Sequence, residues 1–386
     1  MQPGSATITF TQVTAPGTTT MAPIDPNTAG TLPGGYAIAG TSLAFQLNTT
    51  ASVSPPIDVC FNVTTVNDET AFNNLRILHG EGGNLLDRTT THNFATRTLC
   101  ARTTSLSPFL VTPATMNPID GADYFVTEHY RDFLSREPDA GGLAFWIGNI
   151  TSCGTDQQCL EVKRINTSAA YFLSIEFQQT GYLVERIYKT AYGNAPGSST
   201  LGGAHQLQVP VVRLNEFLPD TQQVSQGVVV GQSSWETVLE NNKQAFTLDF
   251  VKRSRFAAAY PMSLTPTQFV NQFFANAEVP ASGADYTATI EEFGGAANSA
   301  DVAARARALR HVAENSTLAQ LESNRAFVLM QFFGYLRRDP NSGQDSDYTG
   351  FDFWLGKLNQ FNGNFINAEM VKAFISSAEY RRRFQP

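Results

Sequence analysis

One pattern of aromatic, arginine, proline and glycine residues occurs twice in the C-terminal two-thirds of the chain. The first copy contains Tyr130, Phe133, Arg136, Pro138, Gly142, Phe145, Trp146 and Glu176. The second copy contains Phe332, Tyr335, Arg338, Pro340, Gly350, Phe353, Trp354 and Glu379. The arginines lie 202 residues apart (338 minus 136) and the tryptophans 208 (354 minus 146), because the second copy has a loop six residues longer. A repeated aromatic unit of this kind favours a helical scaffold or binding module over a catalyst.

The proline of each copy predicts a turn between two helices. Pro138 and Pro340 cannot continue a helix, so we expect an aromatic helix to end at each Arg-x-Pro. A second helix then brings Trp146 and Trp354 back against the first, where we expect them to anchor equivalent layers of a core. The alternative is that these rings stack on a sugar.

The arginine that precedes each turn is expected to be structural. Arg136 and Arg338 can bond to the last carbonyls of their helix, or pair with Glu176 and Glu379 of a later helix. A ligand-binding arginine is the alternative to a buried ion pair.

Secondary-structure patterns divide the chain into a β part and an α part. Residues 1–112 are expected to form an immunoglobulin-like β-sandwich, because short alternating runs are separated by turn residues. The expected strands are 6–10, 42–47, 57–63, 75–78, 98–102 and 109–111. Residues 113–120 are a proline-containing linker. Residues 121–386 are expected to be all-α, with repeat copies at about 121–193 and 317–386 on either side of a middle helical segment.

Apolar spacing near 3.6 residues indicates where the helices lie. Beyond the aromatic helix of the first copy, they are expected at about 156–174, 178–192, 233–256, 264–275, 298–315, 317–336, 349–360 and 365–383. Residues 195–205 are rich in Gly and Ser and are expected to form a flexible loop.

Four cysteines form two local pairs in the sequence. Cys60 and Cys100 both lie on strand-like runs, and Cys153 and Cys159 would close a short loop. Disulfide pairing within each part is the expected arrangement, and it implies an oxidising compartment. Four free thiols are the alternative, whereas the spacing does not fit zinc.

Composition narrows the partners and the location. The net charge of -8 argues against nucleic-acid binding, which needs a basic face. No apolar stretch approaches the roughly 18 residues that span a bilayer, so we expect no membrane insertion. No signal peptide is visible at the start of the chain. If the disulfides form, we expect a secreted or cell-surface protein whose export signal is missing from this sequence, as in a fragment that begins with an added Met.

The repeated residues resemble the bacterial "domain of unknown function 4214" family, over roughly 121–386. The family shares its helical motif with the phycobilisome linker domain. The second copy departs from the pattern at Asn341, where the family has Asp, and in the inserted residues 343–348. The β-rich N-terminal region looks like a domain that precedes this helical domain in secreted acidobacterial proteins. The resemblance implies an extracellular or surface location, and it carries no catalytic residues.

No catalytic signature is present in the sequence, and one loop suggests a metal. Oxygen-bearing side chains alternate in it at Asp339, Asn341, Asp345 and Asp347, which is a spacing that calcium loops use. Calcium is therefore a hypothesis for an otherwise cofactor-free protein, and a solvated polar loop is the alternative.

These observations predict a non-enzymatic extracellular or cell-surface protein. We expect its helical domain to mediate adhesion or assembly by binding an extracellular protein or polysaccharide matrix, or by self-association. The alternative functions are a carbohydrate-binding accessory region of a larger secreted enzyme and an enzyme with an unrecognised site. A deep pocket that holds convergent polar groups with shifted pKa values would favour the last of these.

Overall fold

A computed structural model describes residues 5–33, 35–115 and 117–384. It confirms the predicted fold class, in which antiparallel β-sheets are followed by a helical region. The chain divides into two compact units. The first unit holds the residues up to Tyr130, together with Glu137–Thr167 and the chain from Ser376 onward. The second unit holds Arg131–Arg136 and Ser168–Ile375. This division does not coincide with the predicted one at residues 113–120, because part of the first repeat copy belongs with the sheets.

Two antiparallel sheets form the β-sandwich of the first unit. The strands are β1 Ala6–Ala15, β2 Thr19–Ile24, β3 Leu43–Thr49, β4 Ser52–Asn62, β5 Leu75–Glu81, β6 Asn84–Asp87, β7 Thr89–Asn93, β8 Thr98–Thr103 and β9 Phe109–Pro113. One sheet has the order β1-β4-β8-β7 and the other β2-β3-β9-β5-β6. Each of the six predicted strands is present, whereas β2, β6 and β7 were not expected from the sequence.

Alternating side chains explain why these strands pair as two layers. On β9, Phe109 and Val111 point into the main core, which also holds Val59 and Leu99 from the other sheet. Leu110, between them, belongs to a smaller apolar cluster. The second sheet therefore buries apolar residues on both faces, and the first sheet supplies the opposing layer of the main core.

The helical region follows the predicted pattern closely. After the short α1 Glu69–Asn73 inside the sandwich, the helices are α2 Ala122–Leu134, α3 Ala140–Thr151, α4 Gln157–Leu173, α5 Ile175–Gln179, α6 Gly181–Tyr192, α7 Leu214–Ser225, α8 Trp235–Phe250, α9 Ser254–Ala259, α10 Pro266–Ala277, α11 Gly283–Glu291, α12 Val302–Ala313, α13 Ser316–Met330, α14 Thr349–Gln360, α15 Met370–Ser376 and α16 Ala378–Arg382. Helices α7 and α11 were not expected, and the single helices predicted at 233–256 and 365–383 are each divided, into α8 and α9 and into α15 and α16. None of the described helices is long and apolar enough to cross a membrane.

The predicted flexible loop at 195–205 is wrong. Strands β10 Asn194–Ser199 and β11 His205–Pro210 form an antiparallel hairpin there. The local sequence has little β-propensity, but tertiary contacts supply what it lacks. A Cβ on Gly197 would lie 2.7 Å from a methyl of Val209 and 2.9 Å from the ring of Tyr348. Ser199 also donates a 2.7 Å hydrogen bond to Asp352 on α14. The glycine that suggested a loop is thus needed for close packing.

Candidate functional site

The aromatic helix of each copy ends in the same way. Helix α2 ends at Leu134 and is followed by Ser135 in the left-handed conformation, with φ of 54°. In the second copy the last turn, Gln331–Leu336, is π-helical, and Arg337 follows it with the same φ of 54°. Both aromatic helices therefore end directly before Arg-x-Pro, where they were expected to end, and a left-handed residue ends each one before the proline is reached.

The predicted ion pair of the first copy is confirmed. Arg136 donates two parallel hydrogen bonds to Glu176, from Nε to Oε1 at 2.8 Å and from Nη2 to Oε2 at 3.0 Å. The Glu176 side chain is only 4% exposed. Ser174 caps α5, since its hydroxyl accepts a hydrogen bond from the backbone N–H of Phe177. The arginine thus ties the turn to the start of a later helix, which is a structural role.

In the second copy, a serine again caps the later helix, and the arginine pairs with a carboxylate of the inserted loop. Ser377 accepts a hydrogen bond from the N–H of Tyr380, and Glu379 lies in the first turn of α16. Arg338 donates to Asp345 Oδ2 at 2.6 Å and to the carbonyl of Ser342 at 2.8 Å. The inserted loop therefore folds around Arg338. The expected pair between Arg338 and Glu379 stays a prediction.

The four predicted calcium ligands each contact other groups of the protein. Asp345 binds Arg338, and Asp347 accepts the N–H of Thr349 at 2.9 Å. Asp339 accepts a 2.9 Å hydrogen bond from the backbone N–H of Leu214, and Asn341 accepts one of 2.9 Å from Arg213. Within the described residues, no group of three or more His, Cys, Asp or Glu side chains could hold a metal ion. The loop anchors the start of α7 and does not form a preformed cation cage.

A ring-on-glycine contact joins the two helices of each copy. A Cβ on Gly142 would lie 2.2 Å from the hydroxyl oxygen of Tyr130, so the ring packs directly on the glycine backbone. The equivalent contact in the second copy is looser, because a Cβ on Gly350 would lie 3.6 Å from Cζ of Phe332. Pro138 is buried in the turn between α2 and α3. These repeated residues therefore have packing roles.

The Phe-Trp pairs depart from the core prediction. Phe145 is 63% exposed and Phe353 is 44% exposed. Each packs edge-to-face on its tryptophan, with ring centroids 4.9 Å apart for Phe145 and Trp146 and 5.0 Å for Phe353 and Trp354. Both tryptophans are half-buried. The phenylalanines face solvent because α3 and α14 bury only their opposite faces, through residues such as Leu143 and Leu358.

A glycine lies two residues after each tryptophan, and sequence reasoning missed it. Gly148 and Gly356 are exposed in the interiors of α3 and α14, and nothing lies within 4 Å of an added Cβ at either position. Glycine inside a helix costs about 0.8–1.0 kcal/mol relative to alanine. No packing contact offsets this cost. We call the two groups the Phe-Trp-x-Gly surfaces: Phe145, Trp146 and Gly148 in the first copy, and Phe353, Trp354 and Gly356 in the second.

Both predicted disulfides form. Cys60 on β4 pairs with Cys100 directly opposite on β8, and Cys153 pairs with Cys159 across the loop between α3 and α4. Two disulfides are typical of proteins that fold in an oxidising compartment.

The structure also reveals two buried glutamates that the sequence did not indicate. Glu185 on α6 and Glu322 on α13 are 1% and 2% exposed, and both line one cavity. Glu185 lies four residues before Lys189, a spacing typical of an exposed helical ion pair. The burial of α6 on nearly all sides could not be inferred from that spacing.

Comparisons with known proteins do not assign the chain to a family. No family model, curated protein or solved structure matches it. The resemblance to the "domain of unknown function 4214" family therefore stays a prediction.

Proposed function

We propose that the protein is a non-enzymatic extracellular or cell-surface binding module. It mediates adhesion or assembly by attaching to an extracellular protein or polysaccharide matrix, or to further copies of itself. The attachment points are the two Phe-Trp-x-Gly surfaces of the helical region.

One observation carries this proposal: in both copies, an exposed phenylalanine lies beside a helical glycine that no packing contact requires. Gly148 and Gly356 occupy equivalent places beside Phe145 and Phe353, which are 63% and 44% exposed. An isolated helical glycine with no packing reason points to a functional one. Without a Cβ, the helix backbone can be approached closely by a bound partner. The exposed ring beside it supplies apolar contact area.

The chemistry of these surfaces suits binding rather than catalysis. Phenyl rings, an indole and a glycine supply no proton donor or acceptor of the kind that acid–base catalysis needs. Two such surfaces on one chain suit a partner that presents the same feature repeatedly. An extracellular matrix or a surface assembly offers that repetition.

The two disulfides support the extracellular location. Cytosolic proteins rarely keep disulfides, whereas secreted ones commonly do. Secretion and a surface role are part of the proposal on this basis.

The second candidate is a carbohydrate-binding accessory region of a larger secreted enzyme. The exposed Phe145 and Phe353 favour it, because rings on a surface can stack on sugars. Saturable binding to one polysaccharide supports this candidate and the polysaccharide-matrix form of the first one, and it counts against assembly through proteins.

The test compares three proteins in a polysaccharide pull-down and in sedimentation velocity. They are the wild type, the double variant Phe145→Ala/Phe353→Ala, and the control Met262→Ala, whose side chain is 55% exposed outside both surfaces. We expect the wild type and the control to bind one polysaccharide or to self-associate, and the double variant to lose this by at least about tenfold, a factor worth about 1.4 kcal/mol. Equal binding by all three proteins would remove the proposal.

A further inference from the structure

A cavity of about 370 Å³ lies in the second unit, between helices α6 and α13. Its lining combines apolar and charged side chains. Phe327 and Phe365 stack with their ring centroids 5.5 Å apart, and both line the cavity. Glu185 and Glu322 line the same cavity from α6 and α13. A pocket of this size, with rings and a few convergent polar groups, is what small-molecule sites require.

Glu185 is buried without a partner. Its side chain is 1% exposed, and Oε2 has no hydrogen-bond partner among the described residues. Leaving a buried polar atom unpaired is costly, and each such atom in a native structure needs an explanation. Oε2 has almost no surface open to the cavity, so a ligand group must shift the Glu185 side chain to supply the missing contact.

Lys189 and Arg325, whose charges act on Glu185, form ion pairs with other carboxylates. Lys189 Nζ lies 3.0 Å from Glu278 and 3.6 Å from Glu322, and it donates a 2.9 Å hydrogen bond to Asn194. Arg325 Nη1 lies 3.6 Å from Glu322 Oε1. Glu185 forms no ion pair with any described lysine or arginine.

Arg186, the next residue on α6, also lines the cavity. Its Nε donates a 2.8 Å hydrogen bond to the carbonyl of Ala313, which fixes the guanidinium in place. Because Glu322 already pairs with Lys189 and Arg325, Glu185 is the carboxylate of the lining that forms no ion pair among the described residues.

We propose that this cavity binds a small organic cation, a primary ammonium carried on an apolar or aromatic body. The ammonium lies against Glu185 and Glu322, and the body packs against Phe365 and Phe327. An ammonium has three donors, which suit two carboxylates at once. It also offsets the repulsion that arises when Glu185 ionises beside Glu322, and the neighbouring rings attract a cation. This site is separate from the Phe-Trp-x-Gly surfaces, so the inference does not depend on the proposed function.

The electrostatics of the cavity predict how binding depends on pH. Burial, and next the charge of Glu322, raise the pKa of Glu185 to about 8, against the opposing charges of Arg186, Lys189 and Arg325. Burial also raises the pKa of Glu322, opposed by Lys189 and Arg325, with Glu278 adding to the rise. The surroundings of Glu185 therefore favour its protonated form, and a bound cation must displace that proton. Affinity for a cation should rise with pH until Glu185 is ionised, whereas a neutral ligand gains nothing from that ionisation.

Calorimetric titration of the full chain with benzylamine and with benzyl alcohol tests the proposal. The two probes have nearly the same shape, and only the first carries an ammonium. We expect benzylamine alone to bind, with an affinity that rises from pH 6 to pH 7, because the raised pKa of Glu185 makes its ionised fraction grow over this range. Equal binding of both probes, benzylamine binding that is independent of pH, or no binding of either probe at about 10 mM would overturn it.

A matched pair of variants locates the site. Glu185→Gln keeps the shape of the side chain and removes its charge, so we expect at least a tenfold loss of benzylamine affinity together with loss of the pH dependence. Glu291→Gln changes an exposed glutamate outside the cavity and should bind as the wild type does. Wild-type affinity in Glu185→Gln would overturn the assignment. If that variant does not fold, the pH dependence of the wild type still decides.

Discussion

The contact between Tyr130 and Gly142 offers a prediction whose size follows from distances. In Gly142→Ala, the new Cβ would lie 2.2 Å from the tyrosine hydroxyl oxygen, 3.3 Å from its Cζ and 3.0 Å from Oδ2 of Asp139. Real Cβ contacts are not this short, so the ring must move. Tyr130 is only 5% exposed and lies in packed surroundings. Overpacking of this kind costs typically 1–3 kcal/mol, and the better helix propensity of alanine offsets less than about 1 kcal/mol.

We therefore expect Gly142→Ala to lower the free energy of unfolding by about 1–2 kcal/mol. The second copy supplies the control, since a Cβ on Gly350 meets Phe332 at 3.6 Å, an ordinary contact. Gly350→Ala should be neutral or slightly stabilising, by up to about 1 kcal/mol. Urea denaturation followed by circular dichroism measures both changes.

A rescue variant tests the cause. The hydroxyl is the nearest obstacle, and the second copy has a phenylalanine at this place. Tyr130→Phe combined with Gly142→Ala should recover at least half of the stability that Gly142→Ala loses. If Gly142→Ala is as stable as Gly350→Ala, or if Tyr130→Phe gives no recovery, the packing role of the repeated glycine is refuted.

Two further predictions concern the β-sandwich. Replacing Cys60 and Cys100 by serine should lower the stability of the sandwich by about 2–4 kcal/mol, because their disulfide closes a loop with a sequence separation of 40; unchanged denaturation midpoints in the variant would contradict this. Burial opposes ionisation of Glu81, but hydrogen bonds from His79 and Arg88 hold its pKa at about 2, against an ordinary 4.5. Its stabilising contribution is complete above pH 4.5 and is lost as the pH falls towards 2, so Glu81→Gln should flatten the acid side of the stability profile measured by thermal unfolding.

The sequence predicted those parts of the fold in which local pattern and tertiary packing agree. The alternation of side chains along β9 places Phe109 and Val111 in the main core. Helix α14 has the bounds that its apolar spacing predicted. The pairing of Arg136 with Glu176 was also predictable, since the repeat links an arginine before a turn to a glutamate in a later helix.

Sequence-based prediction failed where contacts with another element determine the structure or exposure of a segment. The residues at 195–205 form a hairpin because Tyr348 and Asp352 pack against it, and no local pattern shows those contacts. Trp146 was expected to lie in a core, yet it is half-buried and Phe145 beside it faces solvent. Glu185 resembled a surface residue because it precedes Lys189 by one helical turn, yet α6 is buried around it. In each case the exposure of a helix face or strand depends on elements distant in sequence.

The most direct test of the proposed function uses Gly148→Ala/Gly356→Ala. The variant adds two methyl groups where nothing lies within 4 Å, so it should unfold at higher denaturant concentration, with each alanine adding up to about 0.8–1.0 kcal/mol. The measurement is binding of the wild type and this variant to the polysaccharide found in the pull-down, or their self-association if sedimentation velocity shows it. We expect a variant that is more stable and binds at least about tenfold more weakly, because the methyl groups keep the partner off the helix backbone. A variant that is more stable and binds as tightly as the wild type would contradict a binding role for the Phe-Trp-x-Gly surfaces.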